Sequence, residues 1–311
     1  MIHCGQRYLH KMSITRLTEY LYDNKGVIGM NGKLLSAVTM VSCCSVLAWT
    51  AHAESKRQIN WPLIGIQVTG FGGGGDFQSS QNMSLVSAGN YFTEPDRDRI
   101  NAMPAKTLSL GYGAGGGGAA VLLSSGAVNY GVALDGSSMT VNSTLSRTTV
   151  YPAIPQTYTI SQTIKTNDLM TVRPFVGVEV PIQSNDMVDS FMPYMTGGYA
   201  LTRAEITGQF TDELGANNRV QSTKTLNGWT IGGGVEVILK SFPISFAGEY
   251  LFVQFPNTSL QSSDFTVNGV TTPNNTFTYQ ANNVQTNIGR FKVSYLFGLA
   301  GKKQSSKMVE K

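Results

Sequence analysis

Residues 225–255 read TLNGWTIGGGVEVILKSFPISFAGEYLFVQF. Two runs of period-2 alternation flank the break Lys240-Ser241-Phe242-Pro243, the pattern of an antiparallel hairpin closed by a short turn. In the first run Trp229, Ile231, Val235, Val237 and Leu239 share one face, and Gly228, Thr230, Gly232, Gly234 and Glu236 share the other. In the second, Ile244, Phe246, Tyr250 and Phe252 alternate with Ser245, Ala247, Glu249 and Leu251. One face suits an apolar medium, and the other is small or charged. That alternation fits a soluble β-sandwich with its apolar face inside, or a membrane barrel with its apolar face outside.

The whole chain narrows the choice. Its 311 residues are 41% hydrophobic and 14% charged, with 34 glycines, against about a quarter charged in ordinary soluble domains. Near the start, Met30 to Lys33 forms a short basic n-region, residues 34–49 an apolar run, and Ala51-His52-Ala53 a small-residue cleavage site. Residues 30–53 are therefore expected to be a signal peptide cleaved after Ala53, with residues 1–29 an extended or non-native N-terminus ahead of the true start at Met30. All three cysteines and all three histidines lie within residues 1–53. The exported chain would then have no disulfide, no histidine base and no His or Cys metal site. Residues 1–53 also hold five of the 23 Lys and Arg and two of the 19 Asp and Glu, so the remainder carries a net +1. That balance argues against a nucleic-acid footprint.

Beyond the cleavage site, strand candidates fall at residues 61–71, 107–118, 127–141, 169–182, 191–206, the two arms of the hairpin, and 284–297. Polar segments separate them at 76–105, 142–165, 207–224 and 256–283. The first contains the charged knot Glu94 to Arg99 and is read as a surface excursion with a short helical turn. Links after the second, fourth and sixth strands are short, and those after the first, third, fifth and seventh are long. Greek-key sandwiches mix connection lengths, whereas outer-membrane barrels alternate short periplasmic turns with long extracellular loops. The expected fold is thus all-β: an eight-stranded antiparallel up-and-down transmembrane β-barrel over residues 54–297, with four long extracellular loops and a basic tail at 298–311.

In such a barrel Arg173, Glu179, Glu236, Glu249, Arg290 and Lys292 point into a narrow lumen, where opposite charges pair. The expected arrangement sets Glu236 and Glu249 against Arg173 or Arg290. Trp61, Tyr194, Trp229, Tyr250, Phe252, Tyr295 and Phe297 sit near strand ends, as interfacial aromatic girdles do. Gly111-Tyr-Gly113-Ala-Gly-Gly116 matches a dinucleotide fingerprint, with Asp135 downstream, but no βαβ periodicity surrounds it and glycine is abundant here. The glycines instead let strands bend and pack closely, and no cofactor is expected.

Asn227 to Glu236, followed by Ala247 to Phe255, resembles the "GWT.G.GvEy…l..EYlyv.f" hairpin of small bacterial outer-membrane surface barrels, the porin-like, opacity and OmpA/OmpX-type superfamily. Pro193 to Ala200 is similar to the preceding "PYvtGGla" strand of that group. The resemblance implies a Gram-negative outer-membrane protein embedded in lipid and lipopolysaccharide and inserted by the barrel assembly machinery. Members end on a terminal aromatic that this machinery reads, whereas here Phe297 is followed by 14 more residues. The implied role is loop presentation to a host or matrix ligand, as adhesin, surface antigen or envelope component, without catalysis. A narrow channel for small solutes is the alternative.

Overall fold

A computed structural model describes residues 63–88, 91–182 and 187–300. In chain order the elements are β1 (Leu63–Ser87), α1 (Glu94–Asn101), β2 (Lys106–Ser125), β3 (Val128–Val150), β4 (Thr157–Val178), β5 (Val180–Pro181), β6 (Val188–Asp212), β7 (Ala216–Leu239), β8 (Ile244–Gln254), β9 (Thr258–Ser262), β10 (Phe265–Val267), β11 (Val270–Thr271) and β12 (Asn275–Ala300). Every ladder is antiparallel, and the first strand pairs with the last, Val68 opposite Tyr295. Strands β1, β2, β3, β4, β6, β7, β8 and β12 therefore close into a ring.

Register fixes the barrel's shape. From Val237, partners run through Phe246, Val293, Gly70, Gly117, Gly136, Met170 and Leu201 and return to β7 at Asn227, ten residues away. A stagger of that size over eight strands tilts them about 40° from the barrel axis. Along β7 the outward positions from Trp229 to Leu239 then cover about 25 Å of height, the thickness of a lipid-facing band.

Which face turns outward decides the medium. Val68, Val121, Val132, Leu134, Met170, Val172, Val235, Phe291 and Val293 are all exposed on the outside of the ring. Burying them inside would have made a soluble core; closed into a ring with that belt outside, the sheet leaves no unpaired edge in hydrocarbon. This is the architecture of a closed antiparallel β-barrel with an apolar exterior. Among the described residues no helix is long and apolar enough to cross a membrane.

The polar segments at one end are mostly wall rather than loop. Strands continue well past the apolar belt, so residues 142–150, 157–165, 207–212 and 216–224 are ladder. Alternation persists there with different chemistry. Val141, Leu145, Ile160, Ile164, Ile206 and Phe210 face inward and are buried, while the outer face is threonine, serine and asparagine suited to water. Thr144 and Thr163 meet across the strands at 3.0 Å, as do Thr148 and Thr159 at 2.9 Å, the kind of cross-strand pair that holds a sheet together. Two of the four expected long loops shrink accordingly to residues 151–156 and 213–215. The other two stay long: residues 88–105, which carry α1, and 255–274, which carry β9 to β11.

Helix α1 forms where the charged knot lies. Thr93 ends the incoming chain, its N–H donating to Asp96 Oδ2 at 2.9 Å, a reciprocal cap that satisfies the first turn. Phe92 and Ile100 are buried against the barrel. At the opposite end the turns are short: Gly126, at φ +65°, takes the left-handed corner between β2 and β3, and residues 240–243 join β7 to β8. The expected turn at residues 184–186 lies outside the described residues, as do the signal segment, Trp61 and the tail from residue 301.

Candidate functional site

Three layers fill the lumen. The lowest is charged, the middle is mainly aliphatic (Met139, Leu169, Leu226, Leu251 and Val253, with Phe77 and Phe255 among them), and the upper is aromatic, with Phe92, Tyr158, Phe210, Phe265, Phe277 and Tyr279 in mutual contact. Gly208 makes room for that last layer: a Cβ there would lie 2.3 Å from the Tyr279 ring.

In the charged layer β4, β8 and β12 each contribute expected residues. Arg173 donates to Glu249 Oε1 at 3.1 Å and to Thr171 Oγ1 at 3.1 Å. Arg290 bonds the other Glu249 oxygen through Nε and stacks over Phe71 at 4.2 Å. Lys292 Nζ lies 3.8 Å from Glu249 Oε1. Register explains part of this, since Arg290 and Glu249 are direct partners across β12 and β8.

The residue that joins the two arginines is one that sequence reading did not place in the lumen. Asp135 Oδ2 accepts from Arg290 Nη2 at 2.8 Å and also from Arg173. Its signal was parity: Leu134 belongs to the outer face, so Asp135 points in, and Gly118 opposite leaves space that a Cβ would close at 2.3 Å from Asp135 Oδ1.

Two expected members stand apart from the arginines. Glu236 is buried in the lumen, but it accepts from Gln67 Nε2 at 2.6 Å and from the Ser245 hydroxyl. Glu179, near the turn end of β4, accepts from Asn129 at 3.1 Å and Ser190 at 2.9 Å. Both find neutral donors on their own level, so neither needs a cation.

The layer borders a cavity of about 20 Å³ lined by Gln67, Asp135, Arg173, Tyr194, Glu236 and Lys292 among others, room for about one water molecule. Asp135, Glu236 and Glu249 balance Arg173, Arg290 and Lys292 in formal charge. Buried charges persist only when balanced nearby and hydrogen-bonded, and this set meets that condition across five strands, β3, β4, β7, β8 and β12.

Of the aromatics assigned to the girdles, Tyr194 is a correction. It is buried in the lumen and its hydroxyl donates to Glu249 Oε1 at 3.0 Å, because it shares a strand face with Met192 and Thr196. Trp229, Tyr250 and Phe252 face outward at the upper edge of the belt, Trp229 and Phe252 in contact at 5.4 Å. Tyr250 donates to Asn287 Oδ1 at 2.6 Å. Tyr295 and Phe297 face outward at the lower edge, 4.5 Å apart.

The second polar cluster closes the upper end. Asp212, the last residue of β6, accepts from the hydroxyls of Tyr91 at 2.5 Å and Tyr151 at 2.7 Å. Its other oxygen accepts from the backbone N–H of Leu214 at 3.0 Å and Ala216 at 2.7 Å. One carboxylate thus ties three connections into a rigid cap. Burial, followed by the Asp212 carboxylate itself, pushes both tyrosine hydroxyls well above the usual phenol range. Among the described residues no group of three His, Cys, Asp or Glu is placed to hold a metal.

No family model and no curated protein matches the chain. Solved structures similar to it include Neisserial surface protein A, at 12% identity and TM-score 0.29 over 75% of this chain and 97% of the other. The attachment invasion locus protein Ail of Yersinia pestis is 10% identical with TM-score 0.33, over 76% and 99% of the two chains. The outer membrane protease OmpT from Escherichia coli is 10% identical with TM-score 0.26, over 78% and 99%. At these scores the similarities carry no functional argument, and the barrel rests on its own ladders.

Proposed function

We propose that this protein is an integral outer-membrane barrel of a Gram-negative bacterium that holds a rigid, non-catalytic surface outside the cell. The role is that of an adhesin, surface antigen or envelope-structural component. On this reading the chain is exported by cleavage after Ala53 and inserted by the barrel assembly machinery. It sits among lipid and lipopolysaccharide, with the end bearing α1 facing outward and the short turns facing the periplasm.

One observation carries the reading: side chains pack the lumen from the charged layer to the aromatic layer, beneath a cap knotted by Asp212. A conducting barrel needs a continuous wet path, and eight strands leave an interior that side chains fill. Packing of this kind supports a scaffold over a channel. Single-channel recording of the refolded protein in planar bilayers is expected to give no steps above baseline; regular ohmic steps would favour the solute channel instead.

A further inference from the structure

The outermost end of the barrel has a surface chemistry of its own. Ile154 in the β3–β4 link, Leu214 in the β6–β7 turn and Val270 at the start of β11 are exposed by 39%, 38% and 70%. Their connections adjoin. Glu213 N–H donates to Thr157 O at 3.2 Å, Asn268 N–H donates to Gly215 O at 3.0 Å, and β10 pairs with the first residues of β7. The three aliphatic tips therefore stand on neighbouring links of one tied rim. The tips make no contribution to the buried aromatic layer beneath.

On the connections around those tips carboxylates outnumber cations. On the connections of this end, Glu94, Asp98, Glu213 and Asp264 are exposed carboxylates, and Arg99 is the one exposed cation among the described residues. Arg97 is turned inward, donating to Ser87 O at 2.6 Å. Glu213 is fixed by the Thr157 N–H at 3.0 Å, which holds its carboxyl below the usual range. Lys106, Lys165, Arg203 and Arg219 are also exposed, but on strands rather than connections, with Arg219 next to Asn218, the partner of Phe265. Apolar points within a charged border are the layout of a recognition surface, and its sign selects the partner.

Resting on the surface reading above, we infer that this apex docks a cationic, amphipathic protein segment, its apolar side chains on Ile154, Leu214 and Val270 and its bases on Glu213 and Asp264. Other occupants fit less well. Polyanionic glycans meet repulsion, and a second apex brings the same negative charge. Neutral sugars stack on exposed rings, whereas Tyr91, Phe92, Tyr151 and Phe265 are tied into the cap and the aromatic layer.

The test uses the refolded full chain in neutral detergent and a labelled amphipathic peptide of lysine and leucine as probe, with heparin as the polyanion. Saturable peptide binding is expected, weakening with salt and falling about tenfold in each of two variants. One is Ile154→Ser/Leu214→Ser/Val270→Ser and the other Glu213→Lys/Asp264→Lys, all exposed positions. Equal peptide binding by all three proteins, or heparin binding in preference to the peptide, overturns the inference. Should a variant fail to refold, salt dependence and the heparin comparison on the unaltered chain decide. Labelling Leu214→Cys on intact cells with a membrane-impermeant maleimide separates the two readings. Labelled cells without peptide binding sink this inference alone, and unlabelled cells sink the surface reading.

Discussion

Replacing Glu249 by alanine lowers the unfolding free energy of the barrel by about 3–5 kcal/mol, the cost of leaving buried charges without their partner. Glu249 is the hub of the lumen: Arg173, Arg290, Lys292 and Tyr194 all reach its two oxygens. Its loss strands three cations facing two remaining carboxylates, one of which, Glu236, is already committed to Gln67 and Ser245. Glu249→Gln keeps the shape and not the charge, and is expected to cost nearly as much. Adding Lys292→Met to Glu249→Ala removes the surplus cation and restores part of the loss. Urea unfolding in phospholipid vesicles, followed by tryptophan fluorescence, reads all three. A loss below about 1 kcal/mol, the level of an exposed pair, would mean that water reaches the cluster freely.

Val235→Arg is expected to cost about 2–4 kcal/mol, the price of a guanidinium near the bilayer midplane. Val235 is 48% exposed on the outside of β7, midway along the apolar belt. Thr225→Arg, on the same face of the same strand but beyond Trp229, is expected to change stability by about 0.5 kcal/mol or less, as ordinary surface substitutions do. The contrast places the edge of the lipid between those two positions. Equal effects would remove the belt.

How much of this was legible depended on what each face had to tolerate. In the hairpin of β7 and β8 the outer face meets lipid, so apolar residues recur at every second position and the lumen carboxylates stand out. Higher on the wall the outer face meets water. There Thr144, Ser146, Thr148, Thr163 and Thr207 dilute the inward apolar set until the strands read as loops. Tyr194 was misplaced for the opposite reason. Residues 191–195 are Phe-Met-Pro-Tyr-Met, apolar or aromatic throughout, so no period remains to say which way the ring points.

Partner choice was the other gap. Asp135 and Arg290 lie 155 positions apart and meet only because the ring closes and its ten-residue stagger brings β3 and β12 to one level. Parity alone could place Asp135 inside, but which cation it faces is set by that closure. Sequence likewise could not foresee that Gln67 and Ser245 would satisfy Glu236.

The central claim is that the hairpin of residues 225–255 turns its apolar face to lipid and its carboxylates to the lumen. Single cysteines at positions 229, 230, 231, 235, 236 and 237, each carrying an environment-sensitive fluorophore in vesicles of brominated lipid, test it directly. Strong quenching is predicted at Trp229, Ile231, Val235 and Val237, and weak quenching at Thr230 and Glu236. Quenching that lacks this alternation, or that peaks at Glu236, would contradict the barrel's orientation.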